Sequence, residues 1–78
     1  MVRVKLHLSL RESLGEFVEL GASGRIKVYE LLKELQRLLG NTIDTDRLVV
    51  VRNGVGLGKN EVVCKNDVVD VLPSVSGG

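Results

Sequence analysis

The stretch KVYELLKELQRLLG, residues 27–40, decides the fold because it predicts the helix on which the other segments must pack. Gly40 is a candidate for the left-handed residue that ends such a helix, whereas Lys27 stands where Ser, Thr or Asp would cap it better. We expect the apolar face of this helix to lie on a sheet. That face follows the i, i+3, i+4, i+7 spacing and comprises Val28, Leu31, Leu32, Leu35, Leu38 and Leu39.

Short β-prone segments lie on both sides of the helix. The first, VRVKLHL, alternates strictly, which predicts a half-buried strand, and a turn around Gly15 then returns the chain as a hairpin. The order ββαβ(β)β predicts an α+β domain of two layers, with the very apolar last strand at the centre of the sheet. The side chains of the first strand that should face the helix are Val2, Val4, Leu6 and Leu8. The predicted strands are residues 2–8, 17–20, 48–53, 61–64 and 68–72.

Composition excludes several classes of function. The 78 residues form one domain, and a net charge of +1 leaves no basic stripe for nucleic acid. The single cysteine, Cys64, excludes an internal disulfide and a cysteine metal cluster. The N-terminus lacks a signal-peptide pattern, and no apolar run approaches the length of a membrane span. We therefore expect no nucleic-acid, membrane or metal partner, and a cytoplasmic location.

Three local features are predicted to be structural. GVGLGK, residues 54–59, is followed by no helix, which favours a glycine turn over a phosphate-binding loop. His7, the single histidine, has no ligand set near it in sequence and is predicted to lie at the surface. Cys64 has one activating charge beside it, Lys65, which predicts a buried or half-buried filler rather than a nucleophile. No paired acids or Ser-His-Asp set appear, so nothing here makes a self-contained enzyme.

The C-terminal sequence PSVSGG is poorly suited to packing. Its proline cannot donate a hydrogen bond to a sheet, so we expect a domain of residues 1–73 and a flexible tail of residues 74–78. Fully extended, this tail reaches roughly 15–18 Å. Gly77 and Gly78 carry no side chains, so the tail fits a channel only as wide as a backbone. A carboxylate must be activated before it can donate its acyl group, and we expect a partner enzyme to use ATP for this, with no cofactor bound by the chain itself.

The last strand and the tail together resemble the C-terminus of the small, sulfur-carrying subunit of molybdopterin synthase. The opening VRVKLHLSLRESLG is also similar to the first strand of that family and its Arg-Glu-x-x-Gly turn, here Arg11, Glu12 and Gly15. RNG, residues 52–54, resembles the Val-Asn-Gly in the middle of family sequences. The C-terminal pattern is an Asn-Asp turn, an apolar strand and Pro-x-Val-x-Gly-Gly, matched by Asn66, Asp67, residues 68–72, Pro73, Val75, Gly77 and Gly78.

The resemblance implies a ubiquitin-like β-grasp, a mixed sheet of four to five strands on one main helix. It also implies a sulfur carrier in molybdenum cofactor biosynthesis. A ubiquitin-activating-like adenylyltransferase would adenylate Gly78 with ATP, and a persulfide donor would convert the adenylate to a thiocarboxylate. Gly77 and Gly78 would then deliver sulfur to a pterin precursor inside the large subunit of molybdopterin synthase. The resemblance assigns the inserting tail to Pro73, Ser74, Val75 and Ser76, and we expect Val68 or Leu72 in the docking face.

Three alternatives stay open at this point. A small archaeal-type protein modifier would join Gly78 to lysine amines of other proteins. The sulfur carrier of thiamin thiazole synthesis shares the fold and the Gly-Gly ending, but it generally lacks the Pro-x-Val run. The third alternative is a binding module with a fortuitous tail. One adenylate or thiocarboxylate serves both carriers and the modifier, so the sequence does not separate them.

Overall fold

The structure, a computed structural model, describes residues 1–40 and 43–74. The helices are α1 (Leu8–Leu14) and α2 (Val28–Leu38), and a short 3₁₀ turn covers Thr45–Arg47. Neither helix is long and apolar enough to cross a membrane, in the part of the chain that the structure describes. The strands are β1 (Val2–Leu6), β2 (Phe17–Leu20), β3 (Arg25–Lys27), β4 (Leu48–Arg52), β5 (Val55–Gly56), β6 (Val62–Cys64) and β7 (Val68–Pro73).

Five strands form one mixed sheet in the order β2-β1-β7-β4-β5. β7 runs parallel to β1, with Leu6 beside Val71, and antiparallel to β4, with Leu48 beside Pro73. The predicted central position of the last strand and the predicted α+β architecture are therefore confirmed. β3 and β6 pair with each other in a separate two-stranded sheet.

The core lies between α2 and one face of the five-stranded sheet. Alternation along β1 and β7 sends every second side chain into this core. This confirms the prediction for Val2, Val4 and Leu6. Leu10 of α1 closes one end of it. The helix contributes Val28, Leu31, Leu32 and Leu35, and the two strands contribute Val2, Val4, Leu6, Val69 and Val71, all of them buried.

The helical stripe is longer than its buried part. Leu38, predicted to lie on the sheet with the others, is 52% exposed because α2 ends there and the side chain borders an open groove beside β2. Leu39 is partly buried against the core. Gly40 has a φ of 74°, which confirms the predicted left-handed residue after the helix.

The segment after β1 was predicted wrongly. The alternation suggested a strand through residue 8 followed by a turn, but β1 ends at Leu6 and residues 8–14 form α1. Leu8 points away from the core and is 61% exposed, whereas Leu10 is buried. Four-residue spacing brings Leu10 and Leu14 onto one face of a short helix, and this packing prevails over the strand-like pattern.

The start of α2 is stabilised by a loop rather than by a capping side chain. The Glu30 carboxylate accepts the backbone N–H of Lys27 at 3.2 Å, but the Lys27 ammonium has no lone pair with which to return a hydrogen bond. The next two backbone N–H groups of the helix donate instead to the carbonyls of Glu61 and Lys59. These bonds explain how a helix without Ser, Thr or Asp at its N-cap begins at this position.

The glycine-rich segment forms a hairpin and a turn. Asn53 and Gly54, with φ of 54° and 78°, make the two-residue connection between β4 and β5 that suits a tight hairpin. The Gly58 N–H donates to the Glu61 carboxylate at 2.7 Å. The predicted turn is present, and the sequence analysis missed both β5 and β3, each of which is very short.

An ion pair links this turn to the 3₁₀ segment. Lys59 Nζ lies 2.8 Å from Asp46 Oδ1, and Asp44 Oδ1 accepts the Asp46 backbone N–H at 2.9 Å. The hydrogen bond from Lys59, assisted by its charge, lowers the pKa of the Asp46 carboxyl and raises the pKa of the Lys59 ammonium. Both side chains are well exposed, so this contact orients the segment more than it stabilises the fold.

We expect Leu35→Ala to destabilise the protein by about 2–5 kcal/mol, because it leaves a cavity where the side chain is fully buried. Leu38→Ala serves as the matched control on the same helix and should cost less than about 1 kcal/mol. Urea unfolding with unchanged m-values measures both free energies of unfolding. Equal losses for the two variants would contradict the described position of the helix.

Lys59→Met should raise the pKa of Asp46 to its ordinary value, because it removes the hydrogen bond and the charge that lower it. Any stability that this pair adds is present above the ordinary carboxyl pKa of about 3.9 and is lost as the pH falls through the lower pKa of the folded state. A carboxyl-detected NMR titration measures the change. Lys65→Met is the control, since among the described groups Lys59 alone lowers the pKa of this carboxyl.

Candidate functional site

The root of the C-terminal tail lies at the middle of one end of the sheet. β7 ends at Pro73, and the backbone N–H of Ser74 donates to the carbonyl of Arg47 at the end of the 3₁₀ turn. Val69 and Val71 are fully buried and fix β7 between β1 and β4. The last described residue is therefore held on the sheet.

The predicted reactive residues follow this root. Val75, Ser76, Gly77 and Gly78 lie outside the described residues, so the inserting tail and the activated carboxylate stay predictions. Ser74, the first residue of the predicted tail, is exposed. The structure thus gives the point from which the tail departs and the side chains that surround it.

One face of β7 points away from the core and carries both predicted docking residues. Val68 is 52% exposed and lies beside Arg3 of β1, at the far end from the tail. Leu72 is half-buried and lies opposite Val49 of β4, which is 39% exposed. We call Val49 and Leu72 the tail-side patch, because they adjoin the tail root and Val68 does not.

A hydrogen-bonded pair separates the two ends of this face. Asp70 lies between Val68 and Leu72, and its carboxylate is 2.9 Å from Nε2 of His7. His7 is half-buried, with 31% of its side chain exposed, rather than the isolated surface histidine that the sequence predicted. Local sequence patterns do not reveal this partner, because the two residues are 63 positions apart. The tail-side patch is therefore separated from Val68 by a polar pair.

A second polar cluster holds the turn before β7. Arg52 Nη1 donates to the Asp67 carboxylate at 3.2 Å and to the Val62 carbonyl at 3.1 Å. The same carboxylate accepts the backbone N–H of Cys64 at 2.9 Å. These bonds tie β6 of the small sheet to β4 of the large one.

Cys64 itself is exposed, so the prediction that it fills a buried or half-buried position was wrong. Alternation along β6 explains the difference, because Val63 is the residue of this strand that points into the core. Within residues 1–40 and 43–74, no three His, Cys, Asp or Glu side chains come together as a metal site.

Two contacts near the tail root were not predicted from the sequence: the hydrogen bond from Ser74 to the carbonyl of Arg47, and the His7–Asp70 pair. Each depends on contacts between distant segments, namely the parallel pairing of β1 with β7 and the antiparallel pairing of β4 with β7. Composition and local periodicity carry no signal for such contacts. Both the strand order and the register between strands are needed to predict them.

Comparison with solved structures gives similar folds over almost the whole chain. SAMP1 from Haloferax volcanii has a TM-score of 0.70 and 26% identity, covering 99% of this chain and 98% of that one. The H. volcanii small archaeal modifier protein 1 has a TM-score of 0.71 and 23% identity, covering 95% and 97%. A putative molybdopterin converting factor, subunit 1, from Pyrococcus furiosus has a TM-score of 0.69 and 27% identity, covering 95% and 97%.

These structures confirm the ubiquitin-like β-grasp fold. No curated protein matches the sequence. Residues 4–78 match the ThiS family, a stretch that includes the C-terminal Gly-Gly. The chain therefore belongs to the ThiS family and is a ubiquitin-like sulfur carrier or modifier protein.

Proposed function

We propose that this protein carries sulfur for molybdopterin synthesis as a thiocarboxylate at Gly78. The observation that carries the proposal is the position of the tail root, at the centre of the sheet and next to the apolar tail-side patch. The likeness to a putative molybdopterin converting factor subunit and the Pro-x-Val-x-Gly-Gly ending support the choice of pathway.

The chemistry begins with activation of a poor acyl donor. A carboxylate oxygen of Gly78 attacks the α-phosphorus of ATP bound by an activating enzyme, which releases pyrophosphate and leaves an acyl adenylate. A persulfide sulfur then attacks the acyl carbon and displaces AMP. A thiol reduces the resulting acyl disulfide and releases the thiocarboxylate. The missing side chains of the last two residues allow these partners to approach the acyl carbon closely.

The second partner of this proposal is the large subunit of molybdopterin synthase. The tail extends roughly 15–18 Å when straight, and we expect it to insert toward the catalytic centre of that subunit. The tail-side patch meets its surface, because Leu72 and Val49 lie where an inserted tail brings the two proteins together. An exposed apolar patch at such a place suits a protein interface.

Conjugation to other proteins is the second candidate function. The likeness to the H. volcanii modifier proteins favours it, as they match the chain as closely as the converting factor does. In this case a lysine amine attacks the activated Gly78, and an isopeptide bond replaces the adenylate or the thiocarboxylate. Both candidates, like the thiamin carrier, need a free and activated last carboxylate.

We expect protein isolated from its native cell to contain a fraction whose intact mass shows oxygen replaced by sulfur, located at Gly78 by fragmentation. One alanine added after Gly78 should abolish this exchange and leave the urea unfolding curve unchanged. The control is one alanine added before Met1, which should leave the exchange intact. Full exchange in the C-terminally extended protein would refute the tail as the site.

The identity of the stable partner separates the candidates. Co-purification with a large synthase subunit supports molybdopterin synthesis, whereas a thiazole synthase supports the thiamin carrier. Gly78 found only in isopeptide bonds to lysines supports the modifier instead. All three candidates share one fold, so each outcome distinguishes between pathways and does not test the fold.

Leu72→Asp should weaken binding to the large subunit by about tenfold or more, because it places a charge in the contact beside the inserted tail. Val68→Asp is the matched control, since it lies on the same face of β7 beyond the His7–Asp70 pair. Isothermal titration with the purified subunit measures both affinities. A larger loss of affinity for Val68→Asp would contradict this proposal, because it would place the interface at the end of β7 away from the tail.

A further inference from the structure

Almost every described residue with a positive φ is of a type that tolerates it. The glycines account for most of them, and Asn53 forms the β4–β5 turn with Gly54. The exception is Leu8, whose φ is 55°. In this left-handed region the Cβ of an L-residue crowds a neighbouring carbonyl oxygen, and Gly or Asn adopts the conformation at lower cost. α1 therefore begins with a residue poorly suited to its backbone conformation.

The side chain of Leu8 does not compensate by packing. It is 61% exposed, close to the 63% of Val55, which lies on the β4–β5 hairpin. Leu10 is the residue of this segment that enters the core, at 2% exposed. Neither the backbone conformation nor burial explains a leucine at position 8, which points to a role outside the isolated chain.

The position of Leu8 indicates that role. β1 and β7 are parallel, with Leu6 beside Val71, so the residues that follow both strands leave the sheet at the same end. Leu8 therefore lies at the end of the sheet from which the tail departs. The preceding residue, His7, is held by its contact with Asp70, and α1 contacts β7. Leu8 is thus held at the same end of the sheet as the tail root.

We propose that Leu8 is an apolar anchor for the enzyme that activates the C-terminal carboxylate, and that it enters an apolar pocket beside the entrance of the tail channel. The proposal rests on the proposed function, because it requires that Gly78 be activated. Activation is common to sulfur transfer and to protein conjugation, so this partner is needed whichever pathway the protein serves. A tail that ends in two glycines offers few side chains to bind, and an exposed leucine at its root adds the missing apolar contact.

The proposal predicts opposite effects on stability and on recognition. Leu8→Asn introduces a residue that adopts the left-handed conformation more readily than leucine, so the Tm should rise by roughly 4–8 °C. The same variant should raise the KM of the activating enzyme for this protein by about tenfold, with kcat little changed, because docking and not chemistry is impaired. ATP–pyrophosphate exchange with the activating enzyme of the same cell measures both constants.

Two further variants make the comparison specific. Leu8→Met should restore a KM close to that of the natural protein, since it returns an apolar side chain of similar size. Val55→Asn removes an equally exposed apolar residue from the opposite end of the sheet and should leave KM unchanged. Circular dichroism melts of all the variants report whether any change in KM comes from unfolding.

The outcomes separate this proposal from the function on which it rests. Exchange with the natural protein and an unchanged KM for Leu8→Asn would overturn the anchor and leave the sulfur-carrier proposal standing. No exchange with the natural protein would overturn both. Light scattering that shows a dimer dispersed by Leu8→Asn, together with an unchanged KM, would assign Leu8 to self-association and also reject the anchor.

Discussion

Pairing between the first and the last strand is the interaction on which the rest of this structure depends. β7 lies between β1 and β4, and its fully buried residues Val69 and Val71 are part of the sheet surface on which α2 packs. Without β7, the remaining strands would form two separate pairs, β2 with β1 and β4 with β5, and the leucines of α2 would have no continuous sheet to cover. The same pairing sets the position of the tail, because the residues after β7 leave from the middle of the sheet.

The parts of the fold that depend on local patterns could be predicted from the sequence. The leucine spacing predicted α2, and the apolar character of residues 68–72 predicted a central strand. α1 was missed because the alternation of β1 continues through Leu8 and Gly15 suggested a turn, whereas the burial of Leu10 accompanies a short helix. β3 and β5 were missed because two or three residues carry no measurable period.

For the candidate site, the motif could be predicted from the sequence, but its surroundings could not. The C-terminal motif pointed to the last two glycines, but the surroundings of the tail root depend on the register between strands. Asp70 pairs with His7, and Ser74 donates to the Arg47 carbonyl, and neither partner is near in sequence. Alternation correctly placed the two proposed docking residues, Val68 and Leu72, on one face of β7, but it did not show that the His7–Asp70 pair divides that face.

The central position of β7 also bears on how the chain is synthesised. Translation delivers this strand after all the others, so β1 keeps an open edge until β7 is available to pair with it. The sheet closes only when residues 68–73 have emerged, and the tail follows directly behind them. We therefore expect prematurely terminated chains to lack a stable fold as well as the tail, so that cellular proteases remove them before an activating enzyme encounters them.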